Sequence, residues 1–282
     1  MKLVPLIFGT LENYRQLIGN NMKVFIYGAG GYFESVVYPI LSSFKGVRIY
    51  LANRRPLVNF NYSKIYNFVY EAKNIDGYDL YMFAGNPIDS ETFLKLVPVK
   101  SKVWIEKPCI PLNANVMNLR NLVVENGLKV RTGLSRRMLL TSPFCRNFKN
   151  VYIGSGVAEY GSWKNMQVSG GSKFVDGIHA IDFALDMVEG GDISNWTDIE
   201  GIWKIDVEGV RRVSKIKLQI GSNISNEFKI DNQDFDFWHR KQALSCFKDN
   251  FNLALQGVPN FDEFYKNFIK IQNAAKRFKI KC

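Results

Sequence analysis

Residues 23–33 read KVFIYGAGGYF, an apolar strand that runs straight into a glycine-rich turn. The residues that follow, 34–44, space Val36, Val37, Ile40, Leu41 and Phe44 as the apolar side of a helix, and Gly46 stops it. Residues 47–52 form a second apolar strand. Strand, turn, helix and strand fit within about 30 residues, as a βαβ unit requires. In a GxGxxG fingerprint the first glycine makes the tight turn, the second lets the backbone approach a pyrophosphate, and the third allows close helix–strand packing. Gly28 and Gly30 take the first two positions and Phe33 the third. Residues Gly28, Ala29, Gly30, Gly31 and Tyr32 would then face a dinucleotide, with helix N–H groups on its phosphates. Taken alone, the same residues also fit a glycine-rich turn that binds nothing.

The rest of the chain divides in two. Apolar strands over 78–84, 102–105 and 128–132 alternate with helices over 89–96 and 114–126. That alternation predicts a parallel sheet covered on both faces. Residues 56–75 carry no clear pattern, and 1–21 read as an N-terminal extension. Beyond about residue 135 the pattern changes to strands over 150–159, 199–207, 213–220 and 227–230, a helix over 174–188, and helices over 237–255 and 261–278. The expected organisation is an extension (1–21), a dinucleotide-binding α/β domain (22–134) and an α+β domain ending in helices (135–282).

Composition narrows the function classes. The hydrophobic fraction is 46% and the charged fraction 22%, ordinary for a globular protein. No apolar run approaches the roughly 20 residues of a membrane span. The opening MKLVPLIFGT is soon broken by Glu12 and Arg15, so a cytoplasmic protein is expected. The net charge of +11 is spread along the chain without a nucleic-acid motif, which favours anionic small molecules over nucleic acid. Four separated cysteines and two histidines argue against a metal site, and reduced thiols are expected.

Three further stretches bear on chemistry. The second strand ends in Asn53-Arg54-Arg55, where a site for NAD usually carries an acidic residue for the ribose 2′-OH. Guanidinium groups suit a 2′-phosphate, so NADP is favoured over NAD; the alternative is a solvated basic turn. Glu106-Lys107-Pro108 follows the strand 102–105 at its carboxyl end, where open α/β sheets bind ligands. Lys107 could donate a proton or stabilise charge there, although a lone tripeptide of this kind also fits a surface loop. In GGSKFVDGIHAID, Asp176, His179 and Asp182 fall at three-residue steps, hence on one side of a helix. A histidine beside carboxylates is a candidate acid–base group; the alternative is a helix capped by Asp176 with His179 packed against the core.

Together, the GxG turn, the Glu-Lys-Pro and the Asp-Gly-Ile-His-x-x-Asp segment make the chain resemble the Gfo/Idh/MocA oxidoreductases, named after glucose-fructose oxidoreductase and inositol dehydrogenase. The resemblance covers about residues 22–190. It implies a Rossmann domain followed by an α+β domain with an open, largely antiparallel sheet that often mediates oligomer contacts, hence a homodimer or homotetramer. It implies hydride transfer between NADP, or less readily NAD, and a hydroxyl or carbonyl carbon of a sugar, cyclitol or nucleotide sugar. It assigns Lys107, His179 and Asp176 to catalysis. Asn86, Pro87, Glu106 and Lys107 join the glycine turn and residues 53–55 as cofactor contacts. Arg137 and Asp182 fall to the substrate side, and Tyr160 and Trp163 are placed there as possible aromatic lining. The chain departs from the family at Phe33, in the three-residue step from Asp176 to His179, and in lacking a histidine after Asn86-Pro87. Two alternatives share the fold: a non-catalytic nucleotide-binding regulator or scaffold, and an imine or biliverdin-type reductase.

Overall fold

The apolar run before the glycine turn lies inside. The computed structural model of the chain describes residues 22–28, 33–42, 46–52, 64–66, 75–135, 138, 150–157, 171–188, 190–209, 215–231, 233–234 and 240–280. Strand β1 (Met22–Tyr27) buries Val24 and Ile26 on one face and Phe25 on the other. A strand apolar on both faces belongs in the middle of a covered sheet. β1 lies there, in a six-stranded sheet of order β3-β2-β1-β4-β5-β6 whose pairs are all parallel. Its other strands are β2 (Val47–Ala52), β3 (Lys64–Tyr66), β4 (Leu80–Phe83), β5 (Lys102–Ile105) and β6 (Lys129–Thr132). The order reverses between β1 and β4, and there the carboxyl ends of the strands leave a crevice for a ligand.

The expected helix over 34–44 is two short pieces, a π-helical turn over Phe33–Val37 and α1 (Tyr38–Ser42). Phe33 is buried beside Val24, Ile26, Val37 and Leu41. The wide turn begins at the residue that stands where a third glycine would be, so a ring rather than bare backbone spaces this helix from the sheet. A 3₁₀ turn over Pro87–Asp89 leads into α2 (Ser90–Leu96), and α3 (Val116–Glu125) follows β5. Asn115 caps α3, its side-chain oxygen accepting from Met117 N at 3.0 Å.

The second sheet is mixed and largely antiparallel. Its strands are β7 (Asn150–Gly156), β8 (Asp192–Ile199), β9 (Ile202–Glu208), β10 (Lys215–Gly221), β11 (Glu227–Ile230) and β12 (Gln233–Asp234). They run in the order β12-β11-β7-β10-β9-β8, with β7 and β10 parallel and the other pairs antiparallel. Alternation along β9 and β10 turns Trp203, Ile205, Val207, Ile216, Leu218 and Ile220 inward. Helix α4 (Gly171–Met187) covers that face. Gly177 makes the approach close, since a Cβ there would stand 2.6 Å from Ile220 Cδ1. The outer face is polar. Lys215 lies 3.4 Å from Asp206 and 3.6 Å from Glu208, and the Tyr152 hydroxyl donates to Gln219.

The two closing helices, α5 (Arg240–Leu255) and α6 (Phe261–Arg277), differ in where they pack. The sequence pattern groups both with the second region. In the structure, Phe247, Phe251 and Ala254 of α5 cover the first sheet around Trp104, because the aromatic face of the helix matches the apolar face of β5. Lys102 Nζ donates to Leu255 O at 2.7 Å, and Asn250 bridges Arg131 and the Thr132 carbonyl. Helix α6 joins the two sheets. Gln272 donates to the carbonyls of Leu112 and Ala114, both at 2.7 Å, while Lys270 and Arg277 donate to the carbonyls of Gly191 and Ile193 beside β8.

Candidate active site

The carboxyl rim of the first sheet is set by hydrogen bonds that continue the ladder past the strands. Gly28 N donates to Ala52 O, Ala84 N to Tyr27 O and Glu106 N to Phe83 O, each at 2.8 Å; Gly133 N donates to Ile105 O at 2.7 Å. At the switch point two glycines meet. Gly28 has φ +85°, and a Cβ on it would stand 2.6 Å from Gly85 Cα. The bare Cα of Gly28 is therefore what lets the turn after β1 pack against the backbone after β4, at the strand ends where sheets of this order take a dinucleotide. Asn86 lies beside it, its side-chain oxygen accepting from Ile88 N at 3.3 Å and so capping the turn that begins at the buried Pro87.

Strand β5 delivers Glu106 and Lys107 to the same rim. Glu106 is 7% exposed. Its Oε2 accepts from Trp104 Nε1 at 3.0 Å and its Oε1 from Lys107 N at 3.1 Å. Burial pushes this carboxyl up to about 7; the hydrogen bond from Lys107 N, the Lys107 charge and the Trp104 hydrogen bond offset part of the rise. Lys107 turns the other way, toward α4. Its Nζ donates to Val175 O at 3.0 Å and lies 3.6 Å from Asp176 Oδ1, both side chains 14% exposed. His179 follows on α4, three residues after Asp176 and half-buried. The Glu-Lys-Pro lysine and the Asp-Gly-Ile-His segment, 68 residues apart between Lys107 and Val175, therefore meet across the crevice.

Asp182 is placed differently. It is 1% exposed and accepts from Asn267 Nδ2 at 3.0 Å, on the side of α4 that faces α6. The same amide donates to Asp186 Oδ1 at 2.8 Å. The family resemblance implies Asp182 on the substrate side; in the structure its carboxylate engages a buried helix–helix contact. Ala29, Gly30, Gly31, Tyr32, Asn53, Arg54, Arg55, Arg137, Tyr160 and Trp163 lie outside the described residues. Trp104 and Gly133 were not anticipated as part of the site. The signal for Trp104 is its position two before Glu106, which puts both on one face of a strand.

Among the described residues no group of three His, Cys, Asp or Glu is arranged to hold a metal ion, and no helix is long and apolar enough to cross a membrane. No protein-family sequence model matches the chain, and no curated protein does. Solved structures do. A myo-inositol dehydrogenase from Corynebacterium glutamicum superposes with a TM-score of 0.70 over 92% of this chain and 96% of its own, at 14% identity. The fold is that of the Gfo/Idh/MocA oxidoreductases. The WlbA (WbpB) dehydrogenase from Thermus thermophilus, in complex with NAD and UDP-GlcNAcA, gives a TM-score of 0.66 over 91% of this chain and 94% of that one, at 17% identity. KijD10, a 3-ketoreductase from Actinomadura kijaniata in complex with NADP and TDP-benzene, gives 0.68 over 93% and 98%, at 12% identity.

Proposed function

We infer that this protein is an NAD(P)-dependent oxidoreductase acting on a hydroxyl or carbonyl carbon of a sugar, cyclitol or nucleotide sugar. The observation that carries the reading is the meeting of Lys107, from the rim of the first sheet, with Asp176, one turn before His179 on α4. A bound nicotinamide supplies the hydride acceptor or donor. The glycine turn that begins at Gly28 would take the pyrophosphate, with Asn86 and Pro87 as the neighbouring wall. Lys107 hydrogen-bonds the reacting oxygen and stabilises charge on it, having exchanged the Val175 carbonyl for substrate. His179 takes or returns the proton of that oxygen, with Asp176 fixing Lys107 and the helix turn beside it. Arg137, Tyr160 and Trp163 complete the substrate side in this reading.

NADP is the preferred cofactor on the strength of Asn53-Arg54-Arg55; the structural neighbours include complexes with either nucleotide. Self-association through the outer face of the second sheet would bring ion pairs such as Lys215–Asp206 into contact, so such an assembly should weaken with salt. The test is NADPH binding by fluorescence, followed by turnover against a panel of sugars and nucleotide sugars. Lys107→Ala and His179→Ala should each lower turnover at least a hundredfold while NADPH still binds. Unchanged turnover in both would reject the catalytic assignment of these two residues, whereas NADPH binding with no turnover of any substrate would favour the nucleotide-binding regulator. Arg54→Ala should weaken NADPH far more than NADH; equal weakening would reject the 2′-phosphate argument.

A further inference from the structure

Glu106 stands in the Glu-Lys-Pro tripeptide, and the family resemblance sets it among the cofactor contacts. Its surroundings describe another role. Both carboxyl oxygens accept from the protein's own N–H groups, Trp104 Nε1 at 3.0 Å and Lys107 N at 3.1 Å. Its own amide is held by Phe83 O. The third side is closed by Gly133, where a Cβ would come within 2.6 Å of Oε1 and 2.8 Å of Oε2. Trp104 in turn is fully buried, its ring 5.1 Å from that of Phe247 and 5.6 Å from that of Phe251 on α5. A continuous series of contacts thus runs from α5 through the indole and the carboxyl to the backbone of Lys107, whose ammonium reaches Val175 O and Asp176.

We propose that Glu106, held by Trp104, is a positioning residue that fixes the backbone of Lys107 and so aims its ammonium across the crevice, without touching the cofactor. The inference rests on the oxidoreductase reading for its catalytic consequence. The geometric part stands without it. Two N–H donors converge on one carboxyl group, which answers both because each oxygen accepts. A Gln side chain answers one of them and turns its NH2 against the other, so the Lys107 amide or the indole N–H loses its acceptor. Removing the indole N–H as well takes that conflict away.

The test uses Glu106→Gln, Trp104→Phe and the double variant in the full-length protein. Trp104→Phe keeps an aromatic ring against Phe247 and Phe251 while deleting the donor. Amine-reactive labelling of Lys107, read by mass spectrometry against Lys173 in the same sample, reports its tethering without any need for substrate. Labelling should rise about threefold in Glu106→Gln, and kcat should fall about tenfold with the NADPH Kd within about twofold of the parent. In the double variant the loss should be smaller than in Glu106→Gln alone, because the introduced amide oxygen can then accept from Lys107 N unopposed. Additive losses would overturn the proposal by making the two residues independent. An NADPH Kd weakened tenfold with kcat unchanged would overturn it by making Glu106 a cofactor ligand. Unaltered Lys107 labelling in both single variants would overturn it whatever the turnover. A Lys107→Ala protein with full turnover sinks the catalytic role of Lys107 in the proposed function instead, and leaves the labelling result standing as a statement about geometry.

Discussion

Replacing Glu106 by Gln should change how the stability of the fold depends on pH. In the folded chain burial raises this carboxyl from 4.5 to about 7. Below about pH 4.5 both folded and unfolded chains hold the proton, and the favourable contribution of the neutral group is complete. Between 4.5 and about 7 the unfolded chain releases the proton and the folded one keeps it, so stability falls as pH rises. Above about 7 both have released it and the loss is complete. At about 1.4 kcal/mol per pH unit, the interval from 4.5 to about 7 amounts to about 3 kcal/mol. Urea unfolding of parent and variant at pH 5 and pH 8 measures the difference, and every other titrating group cancels in the comparison. The parent should lose about 2 to 3 kcal/mol more than Glu106→Gln across that range. Parallel pH dependences in the two proteins would refute the argument. A steeper fall in the variant would reverse its sign.

Gly28→Ala should cost about 2 to 4 kcal/mol, combining a left-handed backbone with a Cβ driven into Gly85. A Tm unchanged together with intact NADPH binding would show that the switch point tolerates a side chain. Gly133→Ala should displace the Glu106 carboxyl and reproduce the increased Lys107 labelling of Glu106→Gln, which mass spectrometry would detect. Asn267→Leu should destabilise by about 1 to 3 kcal/mol, because it withdraws a buried donor from Asp182 and Asp186, and should leave KM within about twofold. A tenfold rise in KM without loss of stability would return Asp182 to the substrate site.

Five strands of the first sheet were legible from their largely apolar runs, whereas the three-residue β3 lies in the stretch 56–75 that carries no clear pattern. Residues 47–52 and 102–105 match β2 and β5 residue for residue, the first running from the stop at Gly46 and the second ending where Glu106-Lys107-Pro108 begins. Strand β8 was not visible. Its inward residues are Ile193 and Trp196, three apart, because a register shift between Ile193 and Asn195 breaks the two-residue alternation. The π-helical turn at Phe33 also escaped, since helical spacing is nearly the same for both turn types over so short a stretch. The Lys107–Asp176 approach was foreshadowed by motif but not by pattern, because nothing local states which strand end faces which helix. Asp182 shows the converse limit. Its three-residue step from His179 is compatible with the crevice and with the α6 contact alike, and the choice rests on Asn267, distant in sequence.

The position of α5 has a consequence for how the chain is made. A ribosome releases β1 to β6 well before residues 240–255 emerge, so the apolar side of β5 around Trp104 is exposed during that interval. The first sheet is therefore completed by a helix synthesised only after every strand of the second sheet, and a chain truncated before Phe247 should be prone to aggregation.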